Sequence, residues 1–238
     1  MFNSKISISP LFNEDCLDNA KLRNKVINYI KTDTCIGATI KTGVFWESWM
    51  FKYIKNNYIE NTNIIDLGGN IGTSMLLMSE VLSNKCNIFS FEPIYHDILL
   101  KNVLDNNLHN NVKIFPYGVG NKIEQIKINP INLTSNRNFG AISLMENKNN
   151  NGEEITIVPV DYFNFENVSL IKIDVENMEI EVLQGCLNLI KKCKPTILIE
   201  THDIKKLTNS IDFEELIKLG YSIKQIPEGC NDYIIKIN

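Results

Sequence analysis

Apolar runs closed by a carboxylate recur along the chain. Asn63-Ile64-Ile65-Asp66 and Ile88-Phe89-Ser90-Phe91-Glu92 come first, and Leu170-Ile171-Lys172-Ile173-Asp174 and Thr196-Ile197-Leu198-Ile199-Glu200 follow later. Runs of this kind are expected as buried central strands of a parallel sheet covered on both faces. Segments with helical spacing separate them. Residues 73–82 offer Met75, Leu76, Met78, Val81 and Leu82 to the sheet, and 95–106 form a second helix before a third strand at 112–117. Residues 178–192 carry Ile180, Leu183, Leu187 and Ile190 on one face, with Pro195 just beyond. Each strand-helix alternation returns the chain in the same direction, which implies an α/β fold with right-handed crossovers. A last helix at 213–219, closed by Gly220, leads to a terminal hairpin of 222–226 and 233–237.

Outside this alternation the pattern changes twice. Residues 1–41 read as an N-terminal extension, partly helical, because Leu17, Ala20, Ile27 and Ile30 between charged residues give a helix over 15–31. Residues 46–54 place Trp46, Trp49, Met50 and Tyr53 on one helical face, a stripe that reads as core packing for the last three. From 118 to 160 two alternating stretches, 124–128 and 154–158, read as exposed strands around an Asn-rich segment. This is a β-insertion with a mobile substrate loop, and 129–152 is expected to order only on the acceptor. The main domain is therefore 42–238.

The first acid-closed strand runs into Gly68-Gly69-Asn70-Ile71-Gly72-Thr73, a tight glycine loop before a helix, as a nucleotide-type ligand site requires. A dinucleotide fingerprint needs glycine at the first, third and sixth positions. Counting from Gly68, those positions hold Gly68, Asn70 and Thr73. Asp66 would repel a pyrophosphate and attract the ammonium and sulfonium of S-adenosylmethionine. Glu92, at the tip of the next strand and followed by Pro93, is placed to accept hydrogen bonds from both ribose hydroxyls.

These residues resemble the FkbM-like group of class I S-adenosylmethionine-dependent methyltransferases. The resemblance rests on Asp66-Leu67-Gly68-Gly69-Asn70-Ile71-Gly72, Phe91-Glu92-Pro93, Leu170 through Glu176, Glu179-Ile180-Glu181-Val182-Leu183-Gln184-Gly185 and Pro195 through Glu200, and covers roughly residues 42 to 203. It implies a Rossmann-like sheet, mostly parallel, with an antiparallel terminal strand. It also implies S-adenosylmethionine as cofactor, held by Phe45, Trp46, Glu47, Asp66, Gly68, Asn70, Gly72, Thr73, Glu92 and Pro93. Asn138 and Gly140 fall in a segment similar to one near the family's acceptor site, and Glu176 and Glu179 match motif positions beside it. The family's usual glycine after Asp-x-Glu is Asn177 here.

Ligands of open α/β sheets bind beyond the carboxyl ends of the strands, so the four strand-tip acids should share one edge. Asp66 and Glu92 serve the cofactor, which leaves Asp174 and Glu200 for the acceptor, with His202 as a further acid/base group. Asp174 is expected to take the acceptor's proton. A divalent cation held by Asp174 and Glu200, with Thr201 or His202, is the alternative; it is not expected, because hard cations want more oxygen ligands. The acids at 176, 179 and 181 also open a helix, where carboxylates are favoured without any catalytic role. His96 and His109 read as structural or exposed.

Composition narrows the partners. A formal net charge of −4 and no basic stripe argue against nucleic acid or an anionic membrane. The 6 cysteines show no Cys-x-x-Cys pair or zinc spacing, and no stretch approaches the about 18 apolar residues that span a bilayer. A cytoplasmic enzyme is expected, with room for a homo-oligomer. The expected activity is O-methylation of a small hydroxylated acceptor, a sugar or nucleotide-sugar glycan precursor, because FkbM-like proteins are associated with it. The alternatives are ribose 2′-O-methylation of RNA, using Lys41 and Lys205, and a non-catalytic methyltransferase-like binding subunit.

Overall fold

The computed structural model describes residues 14–237. The chain opens with β1 (Leu17–Leu22), β2 (Lys25–Ile30), α1 (Ile36–Lys41) and α2 (Met50–Asn57). Alternation follows with β3 (Asn63–Leu67), α3 (Thr73–Ser79), β4 (Ile88–Phe91), α4 (His96–Asp105) and β5 (Val112–Phe115). Next come β6 (Gly118–Val119), β7 (Glu124–Ile128), β8 (Glu153–Val158), β9 (Val168–Ile173), α5 (Glu179–Gly185) and α6 (Leu187–Cys193). The chain ends with β10 (Thr196–Glu200), α7 (Ile204–Thr208), α8 (Ile211–Lys218), β11 (Tyr221–Gln225) and β12 (Asp232–Ile237).

The central sheet has the order β11-β12-β10-β9-β3-β4-β5. Its five inner and β5-side strands are parallel, while β12 runs antiparallel to both β10 and β11. Neighbouring residues feed opposite faces, as the two-residue period requires. Ile64, Ile88, Leu170 and Leu198 join the core under α3 and α4. Ile65, Phe91, Ile171 and Ile197 join the core under α5, α6 and α8. The predicted strands and the terminal hairpin are all present.

The N-terminal reading needs correction. Residues 15–31 form the β1-β2 hairpin rather than a helix, paired in register from Leu17↔Ile30 to Leu22↔Lys25. Arg23 (φ 50°) and Asn24 (φ 62°) are both left-handed, the two-residue turn whose twist suits a hairpin. Tertiary partners decide the outcome: the Asn28 N–H donates to Asn102 Oδ1 at 2.7 Å, and Ile27, Tyr29 and Ile30 enter the same core as α3 and α4. The helix expected over 178–192 is broken at Cys186 into α5 and α6. Gly185 there packs against the Gly120 carbonyl, an approach that leaves no room for a side chain. The short helix α7, capped by Asp203, lies in a stretch for which the sequence pattern predicts no element.

Strands β6, β8 and β7 form the expected insertion as a separate three-stranded sheet. The segment between β7 and β8 buries more than its composition promises, since Phe139, Ile142 and Leu144 are all buried. The Thr34 N–H donates to the Arg137 carbonyl at 3.0 Å, and Phe139 meets Tyr95 edge-on. Contacts within the protein thus hold part of this loop without an acceptor.

Candidate active site

The glycine loop runs from the tip of β3 into α3 and is tied by hydrogen bonds to the tip of β4. Gly68 (φ 80°) and Gly72 (φ 96°) take left-handed backbone, and Asn70 (φ 48°) does so between them. The N–H groups of Gly68 and Gly69 both donate to the Phe91 carbonyl at 3.0 Å. The Asn70 N–H donates to Glu92 Oε2 at 2.8 Å, while the Ile94 and Tyr95 N–H groups donate to Glu92 Oε1 at 2.7 and 2.9 Å. A carboxylate has about four lone-pair sites, so Glu92 keeps room for one ribose hydroxyl rather than two. Burial pushes its pKa up against these three bonds.

A cavity of about 560 Å³ lies over the loop, within the range of small-molecule sites. Of the expected cofactor residues, Phe45, Trp46, Glu47, Gly68, Asn70, Thr73, Glu92 and Pro93 line it. Asp66 and Gly72 do not. Asp66 is fully buried and accepts from the hydroxyls of Ser74 (3.1 Å) and Ser90 (2.9 Å), which makes it a brace behind the loop rather than a ligand contact. Gly72 precedes α3 and packs towards Met75 and Leu99.

On the acceptor side, Asn138, Gly140, Glu176, Asp174, Glu200 and His202 line the same cavity. Glu179 is a correction, because its Oε1 accepts the Asn177 N–H at 3.0 Å and is spent on the turn. His202 sits at the rim with its side chain 51% exposed, 2.9 Å from Asn231 Nδ2 and 3.8 Å from Glu176. Glu176 (φ 47°) and Asn177 (φ 72°) are both left-handed, so asparagine here adopts a conformation that glycine adopts freely. Asn177→Gly is therefore expected to change stability by less than about 1 kcal/mol, and Asn177→Val to cost roughly 1–3 kcal/mol, read as denaturation midpoints.

Two acidic-edge residues escaped the sequence reading. Lys172 interrupts the third apolar run, and its buried Nζ lies 2.9 Å from Asp174 Oδ2. Burial alone would lower its pKa, but Asp174, Asp66 and Glu47 outweigh burial and hold it raised. Asp232 stands opposite Glu200 in the antiparallel register and, with Glu47, completes a trio whose oxygens lie within 4.8 Å of one another. Burial, then the neighbouring Asp174 and Asp232, push Glu200 up to about 8. Burial likewise raises Glu47 to about 7 against the pull of Lys172, Glu176 to about 7, and Asp232 to about 6. Of the alternative pair of cation ligands, Asp174 has its Oδ2 2.9 Å from Lys172 Nζ, while Glu200 belongs to the close set with Glu47 and Asp232. Among the described residues that trio could share one cation, but three carboxylates fall short of the about six to eight oxygens a hard cation such as calcium takes, and no metal is assigned.

A glycine loop and an acidic tip on adjacent parallel strands, in a sheet ending with an antiparallel strand, define the Rossmann-like class I methyltransferase fold. Residues 66–223, more than half of the chain, match the model of the methyltransferase FkbM domain. The chain belongs to the FkbM methyltransferase family. Among solved structures it resembles the methyltransferase FkbM of Methylobacillus flagellatus, with a TM-score of 0.52 at 16% identity over 73% of this chain and 43% of that one. A transferase of Pyrococcus horikoshii gives a TM-score of 0.51 at 12% identity over 93% of this chain and 71% of that one. These likenesses carry the fold, and the chain spans under half the length of the Methylobacillus protein. No curated protein matches it. Among the described residues no helix is long and apolar enough to cross a membrane.

Proposed function

We propose that the protein transfers a methyl group from S-adenosylmethionine to a hydroxyl of a small uncharged acceptor, a sugar being the class that fits best. The observation that carries this reading is one cavity running from the glycine loop and Glu92 to the acids at the tips of β9 and β10. The cofactor supplies a methyl group on a sulfonium. Glu92 accepts a ribose hydroxyl at one end, while Phe45 and Trp46 cover the other.

At the acceptor end Glu200 takes the hydroxyl's proton. A base works best with a pKa near the working pH, and Glu200 at about 8 meets that condition. Asp174 faces the same space, but its Oδ2 is engaged by Lys172 Nζ at 2.9 Å, which suits it to orienting the site rather than to taking the proton. Seven carboxylates line the cavity, those of Glu47, Glu92, Asp174, Glu176, Glu200, Glu228 and Asp232, against one lysine. Burial keeps Glu47, Glu176 and Glu200 partly protonated near neutral pH, yet the remaining carboxylates still outnumber the one lysine. A diphosphate is therefore disfavoured there, which favours a sugar over a nucleotide sugar and counts against RNA. Lys41 and Lys205 lie outside the cavity wall.

The test is a mass-spectrometric screen with methyl-labelled S-adenosylmethionine against free sugars and nucleotide sugars. Label is expected in a free sugar; label in the nucleotide sugars alone would refute the charge argument, and label in neither would refute the acceptor class. On the cofactor side, Glu92→Gln is expected to weaken S-adenosylhomocysteine binding by about 1.5–3 kcal/mol. Calorimetry beside a thermal midpoint separates this from lost backbone contacts, and unchanged affinity would take Glu92 out of the ribose role.

A further inference from the structure

Building on the cofactor reading above, we propose that Lys172 receives the α-carboxylate of the cofactor's aminoacyl tail and makes the site selective for ligands that carry one. Lys172 lies in β9 beside β3, beneath the first glycine of the loop. Its side chain is 6% exposed and lines the cavity. Nζ has one close partner, Asp174 Oδ2 at 2.9 Å, and one long contact, the Gly68 carbonyl at 3.5 Å. An ammonium carries three donors, so a further acceptor can be taken.

A carboxylate entering this cavity has few other places to go. The loop's own N–H groups are spoken for: Gly68 and Gly69 donate to Phe91, Asn70 to Glu92, Ile71 to the Asn70 side chain and Gly72 to the Gly69 carbonyl. Among the described residues Lys172 is also the sole lysine or arginine on the cavity wall. The other charged groups on the wall are carboxylates, which repel a negative tail, apart from His202 at the rim. The Lys172–Asp174 pair is itself a zwitterion, complementary to a tail that bears one ammonium and one carboxylate. Asp174 faces the ammonium, and Lys172 faces the carboxylate.

The experiment is calorimetry with two probes, S-adenosylhomocysteine and 5′-methylthioadenosine, which shares the nucleoside and lacks the aminoacyl tail. For Lys172→Met, affinity for S-adenosylhomocysteine is expected to fall by about 10- to 100-fold, the worth of one charge-assisted hydrogen bond, while 5′-methylthioadenosine binds within twofold of the parent. Should the Met variant fail to fold, Lys172→Gln keeps a hydrogen-bonding amide without the charge and is expected to show the same selective loss. S-adenosylhomocysteine affinity within threefold of the parent in a folded variant would overturn the inference and move the carboxylate to the start of α3. An equal loss of both probes would also overturn it, by making Lys172 a support of the loop. A parent that binds neither probe would instead bring down the cofactor reading, and this inference with it.

Discussion

Replacing Glu200 by Gln is expected to slow single-turnover methyl transfer by about 10²- to 10⁴-fold, the usual worth of a general base. Glu200 ends β10 with its carboxylate in the cavity, and burial together with Asp174, Asp232 and Glu47 raises its pKa to about 8. The base must be deprotonated to act. The parent rate should therefore climb with pH up to about 8, and that limb should vanish in Glu200→Gln. Asp174→Asn is expected to cost less, because Lys172 already draws on that carboxylate. A Glu200→Gln rate within about threefold of the parent would move the proton to another group. Stability follows from the same shift. A carboxyl group raised from 4.5 to about 8 on folding contributes stability that is complete below 4.5 and lost as pH rises through about 8. The ligand-free thermal midpoint should thus fall between pH 5 and 8, and fall less in Glu200→Gln.

Gly68→Ala is expected to cost about 3 kcal/mol or more and to abolish cofactor binding. Gly68 has φ 80°, and a Cβ there would run into the backbone carbonyl of Asp174. Nothing can give way cheaply, because the Asp174 N–H donates to Leu67 at 3.0 Å and fixes the tips of β3 and β9 together. Gly43→Ala is the contrast. Gly43 has φ 86° with open space around its Cβ position, so only the backbone strain remains, about 1 kcal/mol. Denaturation midpoints and S-adenosylhomocysteine titrations of both variants check the pair, and equal costs would show that crowding at Gly68 is not the reason for glycine.

The parallel strands, the glycine loop and the acids at the four strand tips were legible because burial and ligand geometry leave local marks: an apolar run, a carboxylate at its end, glycine where φ is positive. What stayed hidden depends on partners distant in sequence. The β1-β2 hairpin is stabilised by Asn28 against Asn102, and no spacing within 15–31 reports that contact. Asp66 looked like a ligand group because nothing local says that Ser74 and Ser90 will satisfy it. Lys172 does carry a local signal, a lone cation inside an otherwise apolar strand, which calls for a buried anionic partner without saying which. Asp232 was also within reach. Once the last strand is antiparallel to β10, its start falls at the tip of β10, where Asp232 stands beside Glu200.

That the cleft between β3 and β4 takes S-adenosylmethionine is tested most directly by titrating the protein with S-adenosylhomocysteine and, separately, with NAD. Saturable one-to-one binding of S-adenosylhomocysteine is predicted, with no comparable response to NAD. Binding of NAD in preference to S-adenosylhomocysteine would contradict the assignment of the glycine loop, of Glu92 and of the methyl-transfer chemistry built on them.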